Sequence, residues 1–302
     1  MSEYCNLCPR NCNADRLNDV KGYCNSDLLY NIGSVCIHRG EEPIISGRQG
    51  ICNVFFTKCN LQCVYCQNKQ ISSNYNSEVE YKLELAQIVK IITDILDRDV
   101  KALGFVSPSH NSLQVKQIIN EIRSRGYNPI TIYNSNGYDK VETLRSLEGY
   151  IDIYLPDYKY ADASLGKKLS GVSNYPDTAL AAIKEMSRQK GSSLHTDEDG
   201  QAISGLIIRH LVLPGYIENS LNVLQLIADE ISTNVHISLM SQYNPVHNTS
   251  DDENLCRSLT SIEYQKVVDK FEELGFYKGW IQDLESAGHY NPDFTINHPF
   301  EF

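Results

Sequence analysis

The chain has 302 residues, enough for one large α/β domain or a barrel with small attachments. Apolar residues make up 41% and charged residues 22%, ordinary globular values that exclude a collagen-like or wholly disordered chain. With 27 Lys+Arg against 38 Asp+Glu the net charge is −11, and no basic run offers a footprint for nucleic acid. Ten cysteines are present, nine of them within the first 66 residues. The N-terminus MSEYCNLCPRNC lacks the apolar core of a secretory signal. No run of about 18 apolar residues offers a membrane span. The expectation is a cytoplasmic chain with no membrane partner, whose clustered thiols serve metal or redox chemistry rather than disulfides.

Residues 1–50 carry few periodic apolar positions and many Asn, Gly and Cys. They read as an irregular Cys-rich segment held by something other than a core of its own. The run 51–57 (ICNVFFT) predicts a buried strand. Leu85, Ile88, Ile92, Ile95 and Leu96 recur at helical spacing within 83–97. The alternation continues with a strand over 101–107, a helix over 111–125 closed by Gly126, a strand over 129–134 and a short helix over 140–147. A strand over 150–156, a helix over 177–189, a strand over 206–213, a helix over 219–231 and a strand over 235–241 follow. An amphipathic helix over 261–274 and a last short strand within 276–282 complete the series.

Strict β/α alternation implies a parallel sheet with crossover helices. Six or so units are too few to close an eight-stranded barrel, so the expected fold is α/β, a partial (β/α)6 TIM-like barrel. The polar stretch 191–200 predicts a surface hairpin or loop. Residues 247–260 are also polar, and the tail after Gly288 is expected to pack along the surface. The expected organisation is a Cys-rich segment at 1–50, a barrel core at 51–245, and a C-terminal helix and tail at 246–302.

Cys59, Cys63 and Cys66 form a C-x3-C-x2-C set directly after the first predicted strand. In a parallel α/β fold, loops at the C-terminal ends of strands are where sites are built. Three thiolates so close in sequence can wrap one compact cluster. A [4Fe–4S] cube takes four ligands, so three cysteines leave one iron open to an exogenous molecule. A closed zinc site needs a fourth ligand, and none follows at zinc-finger spacing. Upstream, Cys5, Cys8, Cys12 and Cys24 supply four thiolates, the number for a closed auxiliary site. Zinc, a single iron or a second [4Fe–4S] cluster all fit that set. Cys36 and Cys52 are substitutes for any of the four, although Cys52 falls inside the first strand as a packed thiol. Cys256 is expected to be structural.

C-x3-C-x2-C after the first strand of a partial βα barrel resembles the radical S-adenosylmethionine (radical SAM) superfamily over about residues 51–245. That resemblance implies a SAM molecule held on the open iron and cleaved reductively to a 5′-deoxyadenosyl radical, which abstracts hydrogen from a substrate. It also puts Tyr65, the residue before Cys66, near the adenine. Further segments resemble pyruvate formate-lyase activating enzymes: Tyr133-Asn134-Ser135-Asn136-Gly137, Leu155-Pro156-Asp157-Tyr158-Lys159, Leu169-Ser170-Gly171-Val172-Ser173-Asn174, and Ile208-Arg209-His210-Leu211-Val212-Leu213-Pro214-Gly215. With Cys5-x2-Cys8-Pro9-Arg10-x-Cys12 and His38-Arg39-Gly40-Glu41-Glu42-Pro43, the chain looks like an uncharacterised group of homologues of those enzymes.

The polar residues among these fall where strands are predicted to end, so they are expected to converge on one mouth. Asp157 suits the cationic parts of SAM, and Lys159 and Arg209 suit its carboxylate. Asn134, Ser135 and Asn136 offer donors and acceptors for the ribose and amino-acid portion. Two positions depart from the family pattern. Val106-Ser107-Pro108-Ser109-His110 stands where a Gly-Gly-Glu stretch often contacts the SAM amino group, leaving main-chain carbonyls and the Ser107 and Ser109 hydroxyls as acceptors. Asn134 stands where the activating enzymes have an acid. Arg39, Glu41 and Glu42 lie in a polar loop that either helps close the site or is simply solvated.

The resemblance implies an oxidoreductase-type radical SAM enzyme acting on a protein or peptide, with activation of a glycyl-radical enzyme as one form. An external flavodoxin or ferredoxin is the implied reductant. Modification of a small molecule is the alternative within the same chemistry. A zinc-stapled, non-enzymatic binding or scaffold protein is the alternative outside it.

Overall fold

The computed structural model describes residues 5–245, 252–286 and 291–300. Up to Leu29 the chain is irregular apart from one 3-10 turn at Arg16–Asn18. The first strand, β1 (Tyr30–His38), lies in the stretch expected to be irregular. Its Asn31, Gly33 and Ser34 hide the period-2 pattern. It is held by backbone pairing, antiparallel to β2 (Ile51–Phe56), with the short helix α1 (Pro43–Ser46) between the two. The helix α2 (Lys69–Ser72) and strand β3 (Tyr81–Leu83) follow, and β3 pairs with the other edge of β1.

Regular β/α alternation then begins with α3 (Leu85–Leu96), β4 (Ala102–Val106), α4 (Ser112–Ser124), β5 (Ile130–Ser135), α5 (Val141–Ser146) and β6 (Ile153–Pro156). Two helices come next, α6 (Ala163–Ser170) and α7 (Tyr175–Lys190). The periodicity gives no sign of α6. It is short, and it is fixed at its ends: the Asp162 side chain accepts from the Leu165 N–H, and Gly171 closes it at φ 70°. The strand β7 (His195–Thr196) pairs antiparallel with β8 (Ala202–Leu211), so the polar stretch 191–200 is a hairpin arm, and this pairing starts β8 four residues before the predicted point. The series ends with α8 (Ile217–Glu230), β9 (His236–Met240), α9 (Ser261–Glu273) and β10 (Gly279–Ile281). Part of the polar 247–260 stretch lies outside the described residues, and its remainder holds a 3-10 turn at Glu253–Cys256.

The sheet order is β10-β9-β8-β6-β5-β4-β2-β1-β3, parallel from β2 through to β10. The two ends do not meet, which makes this an open partial barrel. Alternation along the strands sorts side chains into two faces. Val54, Phe105, Tyr133, Tyr154 and Ile208 face outward into the main core beneath the helices. Ile51, Ala102, Ile132, Ile153, Leu155 and Ile207 face the lumen, where Ile45 of α1 packs among them at 1% exposure. The loop between β1 and β2 therefore plugs the base of the barrel. The C-terminal tail is not confined to the surface: Phe294 is 2% exposed and meets Phe55 edge-on at 5.3 Å.

Candidate active site

Two residues beyond the apolar floor on β2, β5 and β8, polar side chains enter the lumen, Asn53, Asn134 and Arg209, and Ser238 of β9 joins them. Above the floor is a cavity of ≈ 440 Å³. Its wall includes Cys59, Cys63 and Cys66, with Tyr65, Ser107, Asn134, Ser135, Asn136, Asp157, Lys159 and Arg209. Every residue expected at the mouth is there except Ser109. At Ser107 (φ 54°) the chain turns back into a 3-10 turn over Pro108–His110, which buries Ser109 to 1% exposure beside Asp139 and Tyr133. His110, also in that turn, is fully buried with its Nε2 3.0 Å from the Thr57 carbonyl. Burial lowers its pKa to about 3, so it is a neutral structural group.

The three thiols follow β2 in a loop held from several sides. The Asn136 amide donates to the Cys59 sulfur at 3.2 Å and to the Asn60 side-chain oxygen at 2.8 Å. Asn60 in turn donates to the Tyr138 carbonyl at 2.7 Å. The Cys63 sulfur accepts from the Ser170 hydroxyl at 2.9 Å, and Cys66 lies 3.2 Å from the Ser72 hydroxyl. Burial pushes the Cys59 thiol up to about 12, with Cys63 and Cys66 adding to the effect. Burial raises Cys63 as well, against the pull of Lys159. Among the described residues no three His, Cys, Asp or Glu side chains converge to hold one metal ion. An iron–sulfur cube does not ask for that convergence, because each cysteine binds a different iron. Three adjacent thiols lining one cavity, with hydrogen bonds offered to their sulfurs, fit such a cluster. Tyr65 is buried beside them, its hydroxyl 2.6 Å from that of Tyr160.

The other half of the cavity is ionic. Arg209 lies 2.9 Å from Glu41, 3.5 Å from Asp157 and 3.9 Å from Glu42. Lys159 takes the second oxygen of Asp157 at 2.6 Å. Burial alone would lower the pKa of Lys159 and Arg209, but the surrounding anions win and both stay cationic. Burial raises the Glu42 carboxyl against the nearby Arg209. Glu41 also accepts from Asn53 and Asn134, each at 3.2 Å. Glu41 and Glu42 thus belong to the cavity, although they read as loop residues, while Arg39 is exposed. Asn53 is a further residue the motifs did not single out; the signal for it was one polar side chain inside an apolar strand.

The N-terminal cysteines form a separate group. Cys5 pairs with Ala14 through backbone hydrogen bonds, and a Cβ on Gly22 would lie 2.3 Å from the Cys12 sulfur, so the loop closes tightly. Burial pushes Cys8 up to about 12, opposed by the Arg10 backbone and reinforced by Cys24, Cys5 and Cys12. Arg16 donates to the Cys24 sulfur at 3.0 Å. This loop docks on the other one: Arg10 donates to the Asn60 carbonyl at 2.8 Å, and Asn74 donates to the Tyr23 carbonyl at 2.9 Å. Cys52 is fully buried in β2 and its pKa is raised by that burial, whereas Cys256 is exposed in the 3-10 turn before α9.

Comparison with known proteins bears on this arrangement. An uncharacterized protein of Methanocaldococcus jannaschii is 29% identical over 279 residues, covering 89% of this chain and 74% of that one. The solved radical S-adenosylmethionine methyltransferase TsrM from Kitasatospora setae is similar in fold, with 12% identity and a TM-score of 0.53 over 83% of this chain and 57% of that one. The Streptococcus suis protein SuiB, solved bound to its precursor peptide SuiA, gives 14% identity and a TM-score of 0.50 over 80% of this chain and 50% of that one. The chain thus spans about half the length of these two structures, and at such identities the likeness concerns the fold. No helix among the described residues is long and apolar enough to cross a membrane. The family model described as the radical SAM superfamily matches residues 53–239, more than half of the chain, and the protein belongs to that superfamily.

Proposed function

We propose that the protein is a radical SAM enzyme acting on a protein or peptide, with Cys59, Cys63 and Cys66 as the ligands of its [4Fe–4S] cluster. When bound, the reduced cluster and SAM would supply the chemistry, a one-electron cleavage of SAM to methionine and a 5′-deoxyadenosyl radical able to abstract a hydrogen atom from the substrate. The observation that carries this reading is the meeting of three thiols and the polar strand ends in one cavity. In it Lys159 receives the SAM carboxylate, Ser107, Ser135 and Asn136 orient its polar groups, and Tyr65 packs against its adenine, while Arg209 is held by Glu41 on the floor below.

An open barrel admits a loop of a large substrate, which favours a peptide or protein, and a glycine Cα–H of a glycyl-radical enzyme is the specific form the motif resemblance supports. A separate flavodoxin or ferredoxin in the cytoplasm delivers the electron. Cys5, Cys8, Cys12 and Cys24 form a second centre, supported by four thiols whose charges act on one another; because no three of them converge on one ion, a cluster fits them better than a single zinc or iron.

Anaerobic reconstitution and reduction with dithionite test the central claim. Wild type forms 5′-deoxyadenosine and methionine in equal amounts, and Cys59→Ala forms neither. A wild type that forms none, or a Cys59→Ala variant that matches it, ends this reading. Iron and zinc analysis of Cys8→Ala against Cys59→Ala separates the two centres. Incubation with a candidate glycyl-radical enzyme tests the specific form through its EPR doublet.

A further inference from the structure

We propose that the floor of the cavity is a recognition site for a cationic group on the substrate, a guanidinium or primary ammonium, with Glu42 as its acceptor. The inference rests on reading the cavity as the place where SAM and substrate meet, and it adds what the substrate must carry.

The first observation is an unmet acceptor. Glu42 is 8% exposed and lines the cavity; the Ser238 hydroxyl faces its carboxyl and Arg209 Nε stands 3.9 Å from Oε1, yet Oε2 is buried with no donor at hydrogen-bond distance. A buried carboxylate oxygen without a donor costs free energy until a donor arrives. The second observation is the charge count. With Glu42 ionised, Glu41, Glu42 and Asp157 surround Arg209 and Lys159, three carboxylates against two cations, and it is this excess that burial of Glu42 opposes until a cation arrives. A cationic donor satisfies both the oxygen and the charge, while a neutral donor satisfies only the first.

Depth assigns this cation to the substrate rather than to SAM. Asn136 touches the Cys59 sulfur, whereas Asn134 touches Glu41. Asn134 lies within β5 and Asn136 just past its end, so those levels are at most roughly 6–7 Å apart. The carboxylates therefore sit a step below the thiol loop, against the Ile45 plug. The loop that carries them is pinned by Ile45 beneath and Arg209 beside it, so the acceptor is preorganised.

Methylguanidinium, N-methylurea (its neutral isostere) and acetate serve as probes, with ligand-observed NMR on the full chain, without and with SAM. Wild type is expected to bind methylguanidinium about tenfold more tightly than N-methylurea and acetate not at all. Glu42→Gln should remove that preference, and Glu41→Gln, which keeps Glu42, should weaken it by a smaller factor. Unfolding midpoints of both variants show that the fold is retained. Equal binding of the charged and neutral probes, or a preference that survives in Glu42→Gln, overturns the proposal. Displacement of methylguanidinium by SAM overturns the assignment to substrate and gives the site to the SAM ammonium. Because the probes need no cluster turnover, failure here leaves the 5′-deoxyadenosine test untouched, and failure there leaves the binding result readable.

Discussion

The Ser170 hydroxyl donates to the Cys63 sulfur across 2.9 Å, and it ends a buried chain in which Tyr65 meets Tyr160 at 2.6 Å and Tyr160 meets Ser170 at 2.7 Å. A donor aimed at a ligating sulfur favours the more negative, reduced state of a cluster. Ser170→Ala is therefore expected to lower the reduction potential of the reconstituted protein by roughly 20–60 mV, the one-electron equivalent of a hydrogen bond worth about 0.5–1.5 kcal/mol. A potentiometric titration followed by EPR checks this. An unchanged potential would mean that the contact only packs the loop.

Asn136 ties the thiol loop to the end of β5 through the Cys59 sulfur and Asn60. Asn136→Ala strands the buried Asn60 oxygen and is expected to cost roughly 1–3 kcal/mol. Iron retained after desalting should fall as well, since the loop loses its orientation. Urea unfolding and iron analysis give the two numbers independently.

Gly137 has φ 79°, and a Cβ there would stand 2.1 Å from the Asp157 carbonyl oxygen, whereas Gly126 at φ 88° has nothing within 4 Å. Gly126→Ala should cost only the left-handed conformation, about 1–2 kcal/mol. Gly137→Ala must also move the backbone under Asp157, and a loss of about 3 kcal/mol or more is expected. Denaturant midpoints at constant slope measure the difference.

Glu42 gives a pH dependence of definite sign. Burial, opposed by Arg209 and reinforced by Glu41, raises its folded pKa above the ordinary 4.5. Between that ordinary value and the raised one the folded state holds a proton the unfolded chain has released. Its contribution to stability is thus full below the ordinary value and lost as pH rises through the folded pKa. Glu42→Gln should remove this decline. Asp139, whose pKa burial also raises, is common to both proteins and cancels in the difference. Thermal midpoints of the pair across that interval check the sign, and parallel curves would contradict it.

The repeating strands and helices were legible because periods of two and 3.6 residues survive in sequences such as ALGFV and LAQIVKIITDIL. The strand β1 was not, since its Asn31, Gly33 and Ser34 owe their extended form to β2 and β3 rather than to a face of their own. The thiol spacing marked the site directly. Glu41 and Glu42 could not be separated from an ordinary polar loop, because Arg209, the residue that draws them in, lies 168 positions beyond Glu41. Ser109 misled for a local reason: the left-handed Ser107 reverses the chain and turns the hydroxyl toward Asp139.

The Ile45 plug has a kinetic corollary. A lumen closed at its base by packed isoleucines leaves the mouth and the open side of the barrel as the ways in for whatever binds below the thiol loop. Occupants that enter by the mouth queue above that closed base: the one seated deeper arrives first and departs last. Steady-state product inhibition should therefore follow an ordered rather than a random pattern, with the order written by depth in the barrel.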